Sequence, residues 1–110
     1  MCMTDRELLE LAAKGAGYRV EYGREDGEVH VKTWDHGNYS RWNPIEDDGD
    51  AFRLMIKIRI TVDFRPDTDS VICWLPEQGG ATVGALGDIE LRRAIVRAAA
   101  EIGKAMQAGN

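Results

Sequence analysis

Carboxylates crowd one short stretch of this chain, where Glu46, Asp47, Asp48 and Asp50 follow an Asn43-Pro44 step. Several carboxylate oxygens close together are what a hard divalent cation requires, and with it a metal-dependent hydrolase, so Asp47, Asp48 and Asp50 are the candidate metal ligands. Their spacing departs from a calcium loop, because the alternating acidic positions, the central glycine and the distal glutamate are out of register. A second reading needs no metal. Pro44 has no backbone N–H and biases Asn43 towards extended dihedrals, so the chain turns there. Asp47 or Asp48 can then cap a new helix, and Asp50 sits in its first turn, where the helix dipole favours negative charge. Capping accounts for the cluster, and no metal or cofactor is expected.

A cationic stripe is the other chemical candidate. Arg93, Arg97 and Lys104 fall within a narrow arc of a helix, since steps of four and seven residues return to nearly the same side. The glycine-rich residues 79–87 precede that helix, and glycines ahead of a helix N-terminus can cradle a phosphate. Arg93, Arg97 and Lys104 with Gly79 and Gly80 thus form a candidate site for a small anionic ligand such as a nucleotide. Two features oppose it. Gly87 is followed by Asp88 rather than by the Lys-Ser/Thr of a phosphate loop, and Glu101 can neutralise Arg97 through i,i+4 pairing. His30 and His36 titrate near neutrality, but no nucleophile motif surrounds Ser40, Ser70 or Cys73, and an enzyme is not expected. Of the three tryptophans, Trp42 and Trp74 are expected in the core, and Trp34 is the one expected to touch a partner.

The elements that position these groups follow from periodicity. With 110 residues the chain makes a single domain over residues 1–110, and its net charge of −5 opposes general nucleic-acid binding. Two cysteines, far apart and without His or Cys at ligand spacing, suggest neither a disulfide scaffold nor zinc, and both are expected as reduced thiols. No apolar run approaches the roughly 20 residues of a membrane span, so a cytoplasmic protein without membrane association is expected. Thr4-Asp5-Arg6-Glu7 has the form of a capping box, followed by a helix over residues 5–14 that Gly15 and Gly17 end.

Alternation then takes over. Val20 and Tyr22 share one face, and after a turn at Glu25-Asp26-Gly27, Val29, Val31 and Thr33 oppose His30, Lys32 and Trp34. A second turn at residues 35–38 leads to a short strand over residues 39–42. The central helix, residues 49–58, is expected to bury Phe52, Met55, Ile56 and Ile58, with Arg53 and Lys57 outward. Ile60, Val62 and Phe64 form a half-buried strand that pairs, across the Pro66-Asp67-Thr68-Asp69 turn, with residues 71–75. Residues 76–87 read as a mobile connection. Asp88 is expected to cap the last helix, whose Leu91, Ile95, Ala98, Ile102 and Met106 share a face, and whose Ala98, Ala99 and Ala100 permit close packing or a symmetric dimer. The fold class is α+β in the order α-β-β-(β)-α-β-β-α: an antiparallel sheet of two hairpins packed on about three helices.

Taken together, the TDRELLELAAK segment, the WNPIEDDGDAFRLMIKIRI segment and the closing ELRRAIVRAAAEIGKAM segment resemble a group of small uncharacterised proteins of tailed bacteriophages and prophages, distantly similar to the Nin-region proteins of lambdoid phages. The resemblance covers both ends and the middle; residues 18–41 and 67–87 look variable. It implies an accessory protein in the cytoplasm of an infected bacterium, binding a host protein and countering a host defence, and it brings no catalytic residues with it.

Overall fold

The structure, a computed structural model, describes residues 4–22, 28–32, 39–75 and 80–108. Thr4 accepts a hydrogen bond from the Glu7 amide, and the Glu7 carboxylate turns back to the Thr4 amide, which closes the expected capping box at the start of α1 (Asp5–Gly15). Gly17, at φ 79°, takes the chain out of the helix in the left-handed region. The first sheet follows, with β1 (Arg19–Tyr22), β2 (Val29–Lys32) and β3 (Ser40–Arg41) antiparallel in that order. Val20 lies opposite Val31, and Val29 and Val31 are buried, as their alternation predicts. The expected turns at residues 25–27 and 35–38, together with Thr33 and Trp34, lie outside the described residues.

Asp47 is the N-cap of α2 (Asp48–Ile58), accepting from the Asp50 amide at 2.8 Å, and Arg59 closes the helix in the left-handed region at φ 57°. Its buried stripe differs from the expected one. Ile58 is covered as expected, but its buried companions are Ala51 and Leu54, whereas Phe52 and Ile56 are 57% and 56% exposed and Met55 is half-buried. Apolar residues at 51, 52, 54, 55, 56 and 58 offer two stripes with equally good helical spacing. Among the helices, α2 packs mainly on α3, so one stripe is covered and the other is left out.

In the second sheet β4 (Thr61–Arg65), β5 (Ser70–Trp74) and β6 (Ala81–Ala85) are antiparallel in sequence order. A 3-10 turn at Pro66–Thr68 joins the first two, with Phe64 opposite Val71 and Val62 opposite Cys73. The strand β6 corrects the expectation of a connecting loop over residues 76–87: Val83 pairs with Ile72 and Gly84 with Val71. Its small residues have low strand propensity, but they fit the helix behind them. A side chain at Gly84 would lie 3.2 Å from the Glu90 carbonyl, and the Thr82 hydroxyl donates to the Ala94 carbonyl at 2.8 Å. Val71 and Cys73 are fully buried on this inner face. Trp74 is on the outer face and 43% exposed, which corrects its expected place in the core.

The last helix, α3 (Asp88–Ala108), starts on a backbone cap. The Gly87 carbonyl accepts the Leu91 amide, so Asp88 is the first helical residue rather than the cap, and is free to reach Arg92 one turn on. The helix is covered by α1, by α2 and by the second sheet, which explains why Ala94, Ile95, Val96, Ala98, Ala99 and Ala100 are all buried, while Met106 is 44% exposed. Against α1 the approach is backbone to backbone. A Cβ on Gly15 would collide with the Ala99 carbonyl, and one on Gly103 with the Leu11 carbonyl. The alanine face proposed for a dimer is thus consumed within the chain. Gly103→Ala should destabilise the protein by about 1–3 kcal/mol in denaturant unfolding, even though alanine is the better helix former, because both colliding atoms are backbone and cannot turn aside.

Candidate functional site

The uncovered stripe of α2 faces a cleft. Phe52 and Met55 from α2, Val62 and Phe64 from β4, and Leu91 and Ile95 from α3 line an apolar groove of about 650 Å³. Two rings dominate it. Phe52 stands on the helical wall and Phe64 on the strand wall, more than half exposed, although Phe64 belongs to the inner face of its sheet. The reason is that β4 is an edge strand and neither α2 nor α3 approaches it closely, so its inner-face side chains line the groove instead of being roofed.

One mouth of the groove is charged. Arg92, its side chain only 12% exposed, donates through Nε to the Ile45 carbonyl at 2.8 Å and through Nη1 to Asp48 at 2.6 Å, with Asp88 at 3.6 Å. The carboxylates of Asp48 and Asp88 are 86% and 83% exposed. The guanidinium is thus spent holding α3 to the start of α2, while the negative oxygens face outwards. Among the three candidate metal ligands only Asp48 belongs to this mouth. Asp47 caps the helix, and Asp50 accepts from the Asn43 amide at 3.0 Å and from Arg53 at 2.8 Å. Asp47 and Asp50 border a separate cavity of about 490 Å³ with Arg41, Asn43 and Glu46, but the described residues contain no group of three or more His, Cys, Asp or Glu placed to hold a metal.

The cationic stripe lies elsewhere. Arg93, Arg97 and Lys104 do share a cleft of about 430 Å³, with Asp5, Leu8, Thr82, Val83 and Glu101. Each cation there has an acceptor. Arg93 forms two hydrogen bonds of 3.1 Å to Asp5, Arg97 donates to the Val83 carbonyl at 2.7 Å, and Lys104 pairs with Glu101 at 3.3 Å, taking the carboxylate that the sequence assigns to Arg97. Gly80 is not part of this cleft. It takes φ 86° and its carbonyl accepts the Leu75 amide, ending the β5–β6 connection. Gly79, Trp34 and His36 lie outside the described residues, and His30 is half-buried on β2 between Glu21 and Arg41 in register.

A third, smaller cavity of about 270 Å³ joins the first sheet to α2, lined by Tyr18, Ser40, Arg41, Trp42, Asp50 and Arg53. Trp42 is buried there, as expected, with the Tyr18 ring edge-on at 5.8 Å. Burial pushes the Tyr18 phenol above its ordinary value, with Arg53 opposing, and burial likewise raises the Cys73 thiol.

Sequence reasoning missed the groove. The signal was present as the surplus of apolar residues on α2, more than one buried stripe can use, and as the position of Arg92 four residues after Asp88. No protein-family model matches the chain, and comparison with curated proteins finds no match. No helix of the described residues is long and apolar enough to cross a membrane.

Two outcomes follow from these contacts. Arg92→Ala should cost about 2 kcal/mol or more in unfolding free energy, because it strands the Ile45 carbonyl and removes a bond to a charged partner. The raised Cys73 and Tyr18 values mean that the folded state holds protons which the unfolded chain releases from its ordinary thiol and phenol values of 9.0 and 10.0 upwards. Their contribution is complete below pH 9.0 and is lost as pH rises through the raised native values. Melting temperature should therefore fall on the alkaline side, and Cys73→Ala should remove the part that begins first.

Proposed function

We propose that this chain is a non-enzymatic binding protein that seats an apolar segment of another protein in the groove between α2, β4 and α3. The observation that carries this reading is the pair of opposed, half-exposed rings of Phe52 and Phe64 over an apolar floor. Fully burying such a side chain is worth about 1.5–3 kcal/mol, so the part of each ring that the described residues leave uncovered is free energy that a partner can recover. Binding surfaces concentrate their energy in aromatic-lined pockets of this kind. The outward oxygens of Asp48 and Asp88 add a preference for Lys or Arg beside the apolar anchor.

The resemblance to phage accessory proteins gives the partner its class: a host protein, met in the bacterial cytoplasm and belonging to a defence pathway that the phage gains by blunting. The nucleotide-sponge reading has less support, because Arg93, Arg97 and Lys104 would each have to leave an existing acceptor to take up an anion.

Selection of a displayed random-peptide library on the pure protein tests the proposal. Selected peptides should carry apolar residues beside a basic one, and Phe52→Ala or Phe64→Ala should weaken them by about tenfold or more with little change in melting temperature. Peptides indifferent to both substitutions, or a failure to select any, would overturn it.

A further inference from the structure

The groove is bounded on one side by the free edge of a sheet, and hydrogen-bond parity determines what that edge offers. In an antiparallel ladder the two backbone groups of a residue point to the same neighbouring strand, and successive residues alternate. The Leu86 amide donates to Asp69 and the Leu75 amide to Gly80, so the odd-numbered residues of β5 turn towards β6. Ser70, Ile72 and Trp74 therefore turn towards β4, where they meet Arg65, Asp63 and Thr61. This leaves Val62 and Phe64 with their N–H and C=O groups directed out of the sheet edge in its plane, while their side chains, perpendicular to that plane, line the groove.

The opposite edge is treated differently. By the same parity Val83 points its carbonyl out from β6, and Arg97 covers that carbonyl at 2.7 Å. No backbone hydrogen bond beyond the ladder, and no side-chain hydrogen bond, reaches Val62 or Phe64 among the described residues. An uncovered edge is a template for another strand.

The geometry points to strand addition: a partner segment in extended conformation lies in the groove as a fourth strand beside β4. This rests on the binding function proposed above and specifies its mode. An added strand runs about 4.8 Å from β4, between the Phe64 and Phe52 walls, and exchanges up to four backbone hydrogen bonds with Val62 and Phe64. Its side chains alternate, so every second one descends towards Leu91 and Ile95. The partner chemistry is accordingly an apolar residue at every second position, with a Lys or Arg where the strand passes Asp48 and Asp88. Asp63 and Arg65, which pair with each other at 2.8 Å, belong to the other parity of β4 and leave the groove side uncharged.

The test uses the full chain and one peptide selected from the displayed library, made as a series with a single N-methyl group at each position in turn. Strand addition predicts that N-methylation at alternate residues weakens binding by about tenfold or more, with the intervening positions tolerated. It also predicts that amide exchange at Val62 and Phe64 slows when peptide binds, while that at Asp63 is protected throughout. A peptide that binds and needs Phe52 and Phe64, yet shows no alternation and no new protection at Val62 and Phe64, would overturn strand addition and leave the binding function standing. A peptide bound as a helix would give that result. Absence of any peptide dependent on Phe52 and Phe64 would remove both.

Discussion

The close approach of α1 to α3 is the constraint on which the rest of the structure depends. Two helices reach backbone contact only where both present residues without bulk, and here Gly15 meets Ala99 while Gly103 meets Leu11. Ala12, Ala13, Ala98 and Ala99 extend the same small-residue seam and are fully buried. Such a seam buries little area per residue, but its dispersion contacts are dense and its geometry admits few alternatives. It holds the two ends of the chain together, and it assigns one side of α3 completely.

The remaining sides of α3 are then divided unequally. The second sheet takes one, fitted through Gly84 and Thr82, whose lack of bulk and whose hydroxyl suit a helix backbone at close range. The short helix α2 takes another, held at its start by Arg92, which bonds at once to the loop carbonyl of Ile45 and to the first helical residue, Asp48. Because α2 rests on α3 and stands back from β4, the space between them is not filled by any of the described residues. The groove, the exposed rings and the uncovered strand edge are three consequences of that single separation.

Charge is used in a parallel way. Each of the four cations on the last helix has a partner: Arg92 in Asp48 and Ile45, Arg93 in Asp5, Arg97 in Val83 and Lys104 in Glu101. The three arginine bonds tie α3 to α1, to the start of α2 and to the far edge of the second sheet, while the Lys104–Glu101 pair stays within the helix. In the stripe that reads as an anion site in sequence, Arg93 and Arg97 are therefore ties between elements and Lys104 is paired along its own helix, distinguished from a binding surface only by what lies opposite each side chain.

Local rules were legible in the sequence because their causes are local. The Thr4–Glu7 capping box, the Asp47 cap after Asn43-Pro44, the Val29/Val31 alternation and the turn at Pro66–Thr68 each depend on residues within a few positions of one another, and each appears where the sequence places it. The α+β class follows from the same patterns. What required the tertiary structure were choices between locally equivalent options. Two stripes of α2 have the same helical spacing, and only the position of α3 decides that Leu54 is buried and Phe52 exposed. In the segment Ala81–Ala85 only Thr82 and Val83 favour a strand, and it becomes one because β5 offers it a ladder and α3 accepts the small side chains around them. The candidate site was illegible for the same reason: a groove is a space between elements, and the sequence encodes the walls without stating the distance between them.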